Sequence, residues 1–320
     1  MKKKILITGA LGQIGSELTL HLRDIYGDDN VVASDLKPSV PEGALENGPY
    51  EVVDVTDADQ VAAVVKKYDV NQIVHLAAIL SAVGEAKPTL AWNVNMGGLF
   101  NVLEVARETG CGVFTPSSIA AFGPSTPKDK TPQDTLQRPT TMYGVTKVAG
   151  ENLCDYYYLK YGVDTRGVRF PGLISYVALP GGGTTDYAVD IYYEALRNKK
   201  YSCFIAEGTY MDMMYMPDAL MAISTLLEAN PDKLVHRNAF NITAMSFAPE
   251  DIAAEIKKHI PEFEITYDVD PVRQAIAESW PNSLDDSAAR EEWGWNPKYD
   301  LASMTTDMLE KLRVKLNIQE

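Results

Sequence analysis

A tyrosine and a lysine, Tyr143 and Lys147, stand four residues apart in a stretch that has helical character. Residues at this spacing lie on one face of an α-helix, so the phenol and the ammonium would be neighbours. A tyrosine ordinarily loses its proton near pH 10, but an adjacent cation stabilises the phenolate. Tyr143 could then act as a general base near neutral pH. The Y-x-x-x-K spacing is common by chance, so its meaning depends on the rest of the chain.

Two serines, Ser117 and Ser118, follow a predicted strand upstream of this pair. A hydroxyl at the carboxyl end of a strand can hydrogen-bond a reacting oxygen. We predict this role for Ser118 and keep Ser117 as the second choice. The alternative is that both serines belong to an ordinary turn.

A glycine-rich turn near the N-terminus links a predicted strand to a predicted helix. Gly9 permits a tight turn, Gly12 lets the backbone approach a pyrophosphate, and Gly15 lets the helix pack close to the strand. The start of the helix then offers unpaired N–H groups and a positive dipole end to phosphates. The strand and helix on either side indicate a dinucleotide site rather than a plain glycine turn.

An acidic residue, Asp35, ends the second predicted strand 20 residues after Gly15. A carboxylate there accepts hydrogen bonds from the adenosine ribose hydroxyls and repels a 2′-phosphate, which predicts NAD rather than NADP despite the nearby Lys37. Asp54 is a weaker candidate, for contact with adenine. The predicted cofactor-binding residues are Gly9, Gly12, Gln13, Ile14, Gly15, Asp35, Leu36, Asp54, Val55, Leu76, Ala77, Ala78, Asn95, Tyr143, Lys147 and Pro171.

The elements that must position these residues alternate between strand and helix along the first half of the chain. This alternation is typical of βαβ units and a parallel sheet, with right-handed crossovers that place helices on both faces. We therefore predict an α/β fold, a Rossmann-type doubly wound parallel sheet with a smaller C-terminal substrate lobe. The predicted strands are 3–8, 30–34, 51–53, 72–76, 112–116, 165–170 and 262–269, and the predicted helices are 13–26, 58–68, 90–109, 142–161, 218–228 and 249–259.

The predicted domains divide the chain at residue 170. Residues 1–170 would form the NAD-binding domain, with its sheet completed by later segments, and residues 171–320 would form mainly the substrate-binding lobe. The rhythm of strands and helices breaks after this point, where a glycine-rich stretch, 181–185, fits neither a helix nor a strand.

Composition and charge exclude several other classes of protein. The 320 residues include 29 Lys and Arg against 44 Asp and Glu, a net charge of −15, which argues against a nucleic-acid-binding surface. We also expect no membrane span, and the apolar stretch after the basic N-terminus is too short for an export signal. Three scattered cysteines and four histidines without metal-like spacing predict no disulfide framework and no metal site. A cytoplasmic location fits these features best.

Taken together, the glycine turn, Asp35, the Ser118 segment and the Tyr143/Lys147 pair resemble the extended short-chain dehydrogenases, relatives of UDP-galactose 4-epimerase. The resemblance covers nearly the whole chain. It implies NAD(P) as cofactor, a Ser/Thr-Tyr-Lys catalytic set and a C-terminal substrate lobe. It also implies a homodimer joined through two long helices, here 90–109 and 142–161.

Two segments depart from the sugar-nucleotide branch of that family. The branch has a pattern similar to R-Y-F-N where this chain has residues 169–172, Arg-Phe-Pro-Gly. It also carries a phosphate-clamping arginine where this chain has Met211 before Asp212, and methionine cannot pair with a phosphate as an arginine fork does. A UDP-sugar is thus a poor fit, and an NAD-dependent sugar-nucleotide epimerase or dehydratase is the alternative interpretation. A non-catalytic dinucleotide sensor would be expected to lose Tyr143 or Lys147.

Five stretches, 79–85, 116–124, 180–193, 211–217 and 279–286, are similar to the short-chain type of L-threonine 3-dehydrogenases. This resemblance implies oxidation of the 3-hydroxyl of L-threonine to 2-amino-3-oxobutyrate, with NAD⁺ taking the hydride. Tyr143 would take the hydroxyl proton, Ser118 would orient the oxygen and Lys147 would tune Tyr143. The residues implied to bind the substrate are Ser81, Ser118, Tyr143, Gly183, Thr184, Thr185 and Trp280, with either threonine as the key contact. The alternatives are that Trp280 is an ordinary core aromatic and that the glycine stretch 181–185 is a surface turn.

Overall fold

The computed structural model describes residues 3–41, 45, 47–177, 181 and 183–318. They form two compact units. The first unit comprises Met1–Ala121, Thr140–Arg169 and Leu220–Phe240, and the second comprises Phe122–Pro139, Phe170–Ala219 and Asn241–Glu320. The chain therefore passes between the units several times along its length.

Strands and helices alternate along the chain as the sequence predicts. The strands are β1 Ile5–Thr8, β2 Val31–Asp35, β3 Tyr50–Val52, β4 Gln72–His75, β5 Gly112–Phe114, β6 Ser117–Ser118, β7 Thr165–Arg166, β8 Val168–Phe170, β9 Gly172–Ile174, β10 Lys200–Cys203, β11 Met211–Tyr215, β12 Phe240–Asn241, β13 Met245–Phe247 and β14 Glu264–Tyr267.

The helices connect these strands. They are α1 Gln13–Tyr26, α2 Ala58–Tyr68, α3 Ser81–Ala86, α4 Pro88–Trp92, α5 Gly98–Thr109, α6 Met142–Tyr161, α7 Tyr187–Asn198, α8 Met216–Glu228, α9 Pro249–Lys257, α10 Pro271–Ser279, α11 Ser287–Trp293 and α12 Leu301–Leu316, with short turns of 3-10 helix at Asp28–Asn30, Ile119–Ala121, Thr184–Asp186 and Pro231–Lys233 and of π-helix at Asn93–Gly97.

A six-stranded parallel sheet is the centre of the first unit. Its strand order is β3-β2-β1-β4-β5-β7, and each neighbouring pair runs parallel. Every residue of β1 and β4 is buried, as expected for strands covered on both faces. Starting from β1, the chain adds β2 and β3 on one side and then β4, β5 and β7 on the other side. Ligands bind outside the carboxyl ends of the strands at such a switch point. The predicted Rossmann-type α/β fold is confirmed.

Capping side chains set the starts of two helices at the predicted residues. Asp57 accepts hydrogen bonds from the N–H groups of Asp59 and Gln60 at the start of α2, and Thr141 accepts from Gly144 N–H at the start of α6. Side-chain acceptors at this position satisfy N–H groups that lack a partner within the helix. The bounds of α1, α2 and α6 are those predicted.

The helix predicted at 90–109 is interrupted, and that prediction was wrong in this respect. α4 gives way to a π-helical turn at Asn93–Gly97 before α5 begins. The turn contains Asn95, whose side chain binds the backbone of Ile79 through both its oxygen and its nitrogen. Single π-helical turns inside α-helices are rare and are frequently found at functional sites.

The strand predicted at 165–170 is divided at Gly167. β7 belongs to the six-stranded sheet, whereas β8 lies in a separate three-stranded sheet of order β12-β8-β6. A Cβ on Gly167 would lie 2.3 Å from the carbonyl oxygen of Thr115, so the chain passes close to another backbone where it changes sheets.

The second unit has its own sheets and helices. In a three-stranded sheet, β11 pairs with β9 in parallel and with β13 in antiparallel orientation, and β10 pairs with β14 in parallel. The strand predicted at 262–269 is the shorter β14. Among the helices that the structure describes, none is long and apolar enough to cross a membrane.

Candidate active site

The glycine turn after β1 is shaped by contacts that exclude side chains. Gly9 has a φ of +72°, and a Cβ there would lie 2.7 Å from the backbone nitrogen of Ala77. A Cβ on Gly15 would lie 2.3 Å from the carbonyl oxygen of Gly9. Both positions therefore require glycine, and the turn packs directly on the segment that follows β4.

The start of α1 is open to an anion. Its first residue follows Gly12, which supplies no capping side chain, and its first turn contains no acidic residue. The N-terminal N–H groups and the positive dipole end of a helix attract phosphate. A Cβ on Gly12 would meet the Gly9 carbonyl oxygen at 3.2 Å, so its absence keeps the backbone accessible. This cradle fits the pyrophosphate of a dinucleotide.

The carboxylate of Asp35 is held beside this turn. One of its oxygens, Oδ2, accepts a hydrogen bond from Leu11 N–H at 3.1 Å, and the other, Oδ1, accepts from Lys37 N–H at 3.3 Å. The next residue, Leu36, is 66% exposed. A carboxylate fixed at the end of β2 in this way suits the ribose hydroxyls of a dinucleotide.

Replacing Asp35 with asparagine should weaken NAD binding about 10-fold and reduce the preference for NAD over NADP. Asparagine keeps an acceptor for Leu11 N–H but loses the charge that strengthens hydrogen bonds to ribose and repels a 2′-phosphate. Fluorescence titrations with NADH and NADPH would measure both dissociation constants. An unchanged ratio between them would show that Asp35 does not discriminate the two cofactors.

The two other candidates near the adenosine side have local roles. Asp54 Oδ1 accepts hydrogen bonds from Thr56 N–H at 2.9 Å and from the Thr56 hydroxyl at 2.7 Å, which builds the turn before α2. Val55 is buried, and a Cβ on Gly98 would lie 2.8 Å from its Cγ2. Contact of either Asp54 or Val55 with adenine stays a prediction.

A cavity in the first unit lies where β4, β5 and α6 meet. It brings together five of the predicted cofactor-binding residues, Leu76, Ala77, Ala78, Asn95 and Lys147. Several lining residues were not predicted, among them Asn238, which is distant in sequence from the rest of the lining. The complete lining is His75, Leu76, Ala77, Ala78, Asn95, Leu99, Thr115, Pro116, Ser117, Thr146, Lys147, Gly150, Glu151 and Asn238.

The side chain of Asn95 organises one wall of this cavity. Its oxygen accepts from Ile79 N–H at 2.7 Å, and its nitrogen donates to the Ile79 carbonyl at 3.0 Å and to the Thr146 hydroxyl at 3.1 Å. These bonds tie the segment after β4 to α6. Direct contact between Asn95 and a cofactor stays a prediction.

Tyr143 and Lys147 lie together on the first two turns of α6. The ammonium nitrogen of Lys147 is 5.3 Å from the centroid of the Tyr143 ring, within the range of a cation–π contact. The same nitrogen donates a hydrogen bond to the carbonyl of Pro116 at 2.7 Å. The cation is therefore fixed between the phenol and the segment that carries the two serines.

The two serines have different environments. The hydroxyl of Ser117 donates to Glu151, a buried carboxylate. The hydroxyl of Ser118 accepts from Ala120 N–H at 3.2 Å, and a hydroxyl that accepts a bond keeps its own proton for another partner. This difference supports Ser118 over Ser117 as the residue that orients a reacting oxygen.

His75, at the end of β4, is a buried neutral group. Its Nδ1 lies 2.8 Å from the hydroxyl of Thr8. Burial, with a smaller contribution from the positive charge of Lys147, lowers the pKa of His75 to about 3. No group of three or more acidic, cysteine or histidine side chains that could hold a metal occurs within the described ranges.

His75 should make the protein less stable as the pH falls from about 6.5 to 5. The unfolded chain takes up a proton at its ordinary pKa of 6.5, whereas the folded chain resists until about 3, so acid favours unfolding in this window. The expected cost is ~2 kcal/mol, at ~1.4 kcal/mol per pH unit. Urea unfolding of the wild type and of His75→Asn across this range would measure it; parallel pH curves for the two proteins would contradict the expectation.

The residues implied to bind a substrate are divided between the two units. Ser81 is the first residue of α3 in the first unit. In the second unit, the N–H of Gly183 donates to Asp186 Oδ2 at 2.5 Å, and Thr184 is buried while Thr185 is partly buried. Trp280 is buried at the end of α10. Part of the glycine stretch, Gly182, lies outside the described residues, as does Pro180 of the matching stretch 180–193.

The second unit also contains Pro171, the last of the predicted cofactor contacts. It follows β8 and precedes β9. The roles of Pro171, Ser81, the 183–185 turn and Trp280 stay predictions.

Comparison with known proteins gives the family. A relative from Staphylococcus haemolyticus, described as an uncharacterized epimerase/dehydratase, is 60% identical over 313 residues and 98% of each chain. The solved structure of L-threonine dehydrogenase from Clostridium difficile is 68% identical, with a TM-score of 0.96 and 98% of each chain covered. A monomeric L-threonine 3-dehydrogenase from a metagenome is 46% identical, with a TM-score of 0.92 and 98% and 99% of the two chains covered.

The family model that matches is described as the NAD dependent epimerase/dehydratase family and spans residues 5–243. The predicted resemblance to extended short-chain dehydrogenases and the predicted cofactor, NAD, are confirmed. Because the match extends over most of the chain and the cradle at α1 suits a dinucleotide, this chain belongs to the NAD dependent epimerase/dehydratase family and is an enzyme with NAD as its cofactor.

Proposed function

We propose that this enzyme is an NAD-dependent L-threonine 3-dehydrogenase, which oxidises the 3-hydroxyl of L-threonine to 2-amino-3-oxobutyrate. The observation that carries the proposal is the similarity of nearly the whole chain to the Clostridium difficile L-threonine dehydrogenase. The Tyr143–Lys147 pair and Ser118, in the unit that contains the NAD cradle, supply suitable chemistry.

The proposed mechanism assigns proton transfer to this chain's own residues. The phenolate oxygen of Tyr143 takes the proton of the threonine 3-hydroxyl, and the Ser118 hydroxyl donates a hydrogen bond that orients the same oxygen. Lys147 stabilises the phenolate by its positive charge and is held in place by the Pro116 carbonyl. When bound, NAD⁺ supplies the acceptor for the hydride of the same alcohol carbon.

NAD would be held by the residues around the glycine turn. The N–H groups of Gln13 and Ile14 would bind the pyrophosphate, Asp35 would bind the adenosine ribose and Lys147 would bind the nicotinamide ribose. The small side chains of Ala77 and Ala78 would let the backbone of the segment after β4 run close along the cofactor.

The substrate residues complete the proposal. We assign the binding of the carboxylate and ammonium of threonine to Ser81, Gly183, Thr184 or Thr185 and Trp280. Residues 171–320 would provide most of the substrate lobe, and residues 1–170 would bind NAD. Met211 supports a free amino acid over a nucleotide ester, because a methionine offers no charge to a diphosphate.

A direct assay tests this function. NADH absorbance should rise when L-threonine and NAD⁺ are added together, and it should not rise with NAD⁺ and a UDP-sugar. The aminoketone product should form in a 1:1 ratio to NADH. Turnover of a UDP-sugar with no response to threonine would contradict the proposal and favour an epimerase or dehydratase.

We also propose that the enzyme is a homodimer joined through α4, α5 and α6. These helices expose large apolar side chains, and clustered exposed apolar surface marks interaction sites. The metagenome relative is described as monomeric, so the oligomeric state of this enzyme has to be measured directly. The exposed fractions are 48% for Trp92, 48% for Phe100, 40% for Val145, 49% for Tyr156 and 45% for Tyr161.

Replacing Phe100 with glutamate should convert the dimer into a monomer, because a buried unpaired charge is costly at an interface. Leu20→Glu is a matched control, since Leu20 is 45% exposed on α1 and lies outside the proposed interface. Sedimentation velocity would report the masses. A wild-type monomer, or a Phe100→Glu dimer as stable as the wild type, would contradict the proposed interface.

A further inference from the structure

A buried charged pair lies directly behind the serine segment. Arg169 donates to both oxygens of Glu151, from Nε at 3.0 Å and from Nη2 at 2.8 Å. The side chains of Glu151 and Arg169 are 6% and 7% exposed. Buried ion pairs gain little net stability after the cost of desolvation, so stability alone does not explain this pair.

The hydroxyl of Ser117 is the third member of this cluster, and it donates to Glu151. Two side chains of α6 thus hold successive residues of the 116–118 segment. Lys147 binds the Pro116 carbonyl, and Glu151 binds the Ser117 side chain. Because Lys147 and Glu151 are four residues apart, they lie on one face of the helix and hold the segment at two neighbouring points.

The bond to Ser117 determines where Ser118 points. The two serines form the short strand β6, and successive side chains of a strand point to opposite faces. Because Glu151 holds the Ser117 side chain, the Ser118 side chain must point away from Glu151. A shift of one residue would exchange the two hydroxyls.

We propose that Glu151, with Arg169 as its counter-ion, is a positioning residue that holds Ser117 against α6 and thereby directs the Ser118 hydroxyl at the reacting oxygen. Arg169 donates to both carboxylate oxygens, which holds Glu151 in one orientation. The proposal deepens the proposed function and rests on it for the identity of the reacting oxygen.

The variant Ser117→Ala tests this role, because it removes the hydroxyl and retains the Glu151–Arg169 pair. We expect kcat for threonine to fall about 10- to 100-fold, as for a small displacement of an orienting group, with unchanged affinity for NADH. Amide hydrogen exchange at Ala120, whose N–H donates to Ser118, should become faster. Ser117→Thr restores a hydroxyl and should recover most of the rate.

A second variant separates positioning from stability. The double variant Glu151→Met/Arg169→Met removes both charges together, which a buried site tolerates well. We expect the same fall in kcat and the same faster amide exchange at Ala120. Asp164→Asn is the matched control. Asp164 forms ion pairs with the buried side chains of Arg166 and Arg237, so this variant disturbs a different cluster of the first unit. It should lower Tm without changing kcat or exchange at Ala120.

The outcomes distinguish this inference from the proposed function. Wild-type kcat and wild-type exchange at Ala120 in both Ser117→Ala and the double variant would overturn the inference. A wild-type enzyme that does not oxidise threonine would overturn the proposed function, whereas hydrogen exchange would still report whether Glu151 orders Ser118.

Discussion

Replacing Tyr143 with phenylalanine should lower kcat for threonine oxidation by about two to four orders of magnitude, the usual contribution of a general base. The ring would still lie beside Lys147, where the ammonium is now 5.3 Å from its centroid. Only the phenol oxygen, the proposed proton acceptor, is lost, so the Tm should stay close to wild type.

Initial rates from NADH absorbance at saturating threonine and NAD⁺ would measure this loss. Tyr158→Phe is the matched control, because it removes a partly exposed tyrosine hydroxyl from the same helix at a residue outside those assigned to the active site and to the interface, and it should leave kcat unchanged. If Tyr143→Phe kept the wild-type rate, another group would have to take the proton. A loss caused by misfolding would instead appear as a lower Tm.

The features that the sequence predicts well are local. The glycine turn follows from spacing alone, because strand, turn and helix are adjacent in the chain and the close contact of Gly15 is with Gly9. The starts of α2 and α6 follow from Asp57 and Thr141, which cap N–H groups two or three residues away. Such short-range bonds leave a clear pattern in the sequence.

The features that the sequence does not predict depend on distant partners. The π-helical turn around Asn95 forms with the backbone of Ile79, 16 residues earlier. The choice between Ser117 and Ser118 depends on Glu151, 34 residues later. Gly167 divides a predicted strand because of its close approach to Thr115. No periodicity or propensity encodes these pairings, since each arises only once the sheet and α6 are assembled.

Asp35 is an intermediate case, because one of its roles is predicted from the sequence and another comes from the structure. Its distance from Gly15 predicts contact with ribose. The structure adds a second role, since its carboxylate also binds Leu11 N–H within the glycine turn. The two sides of the predicted cofactor site, the turn and the strand end, are therefore one connected unit.

Replacing Gly9 with alanine should weaken NADH binding at least about 100-fold and also lower the free energy of unfolding. Alanine at a φ of +72° costs roughly 1–2 kcal/mol, and its Cβ would lie 2.7 Å from Ala77 N and 2.9 Å from Ala77 Cα. Both are backbone atoms, so the turn must move away from the segment after β4. That movement displaces the start of α1, where the phosphates are expected to bind.

Gly162→Ala separates strain from displacement of the turn. Gly162, which ends α6, has the same φ of +72°, but a Cβ added there would meet no neighbouring atom within 4 Å among the described residues. It should lose only the roughly 1–2 kcal/mol of backbone strain and retain full NADH affinity. Fluorescence titration with NADH and urea unfolding of both variants would test the contrast. If Gly9→Ala lost stability as Gly162→Ala does but bound NADH like the wild type, the glycine turn would not be the phosphate site.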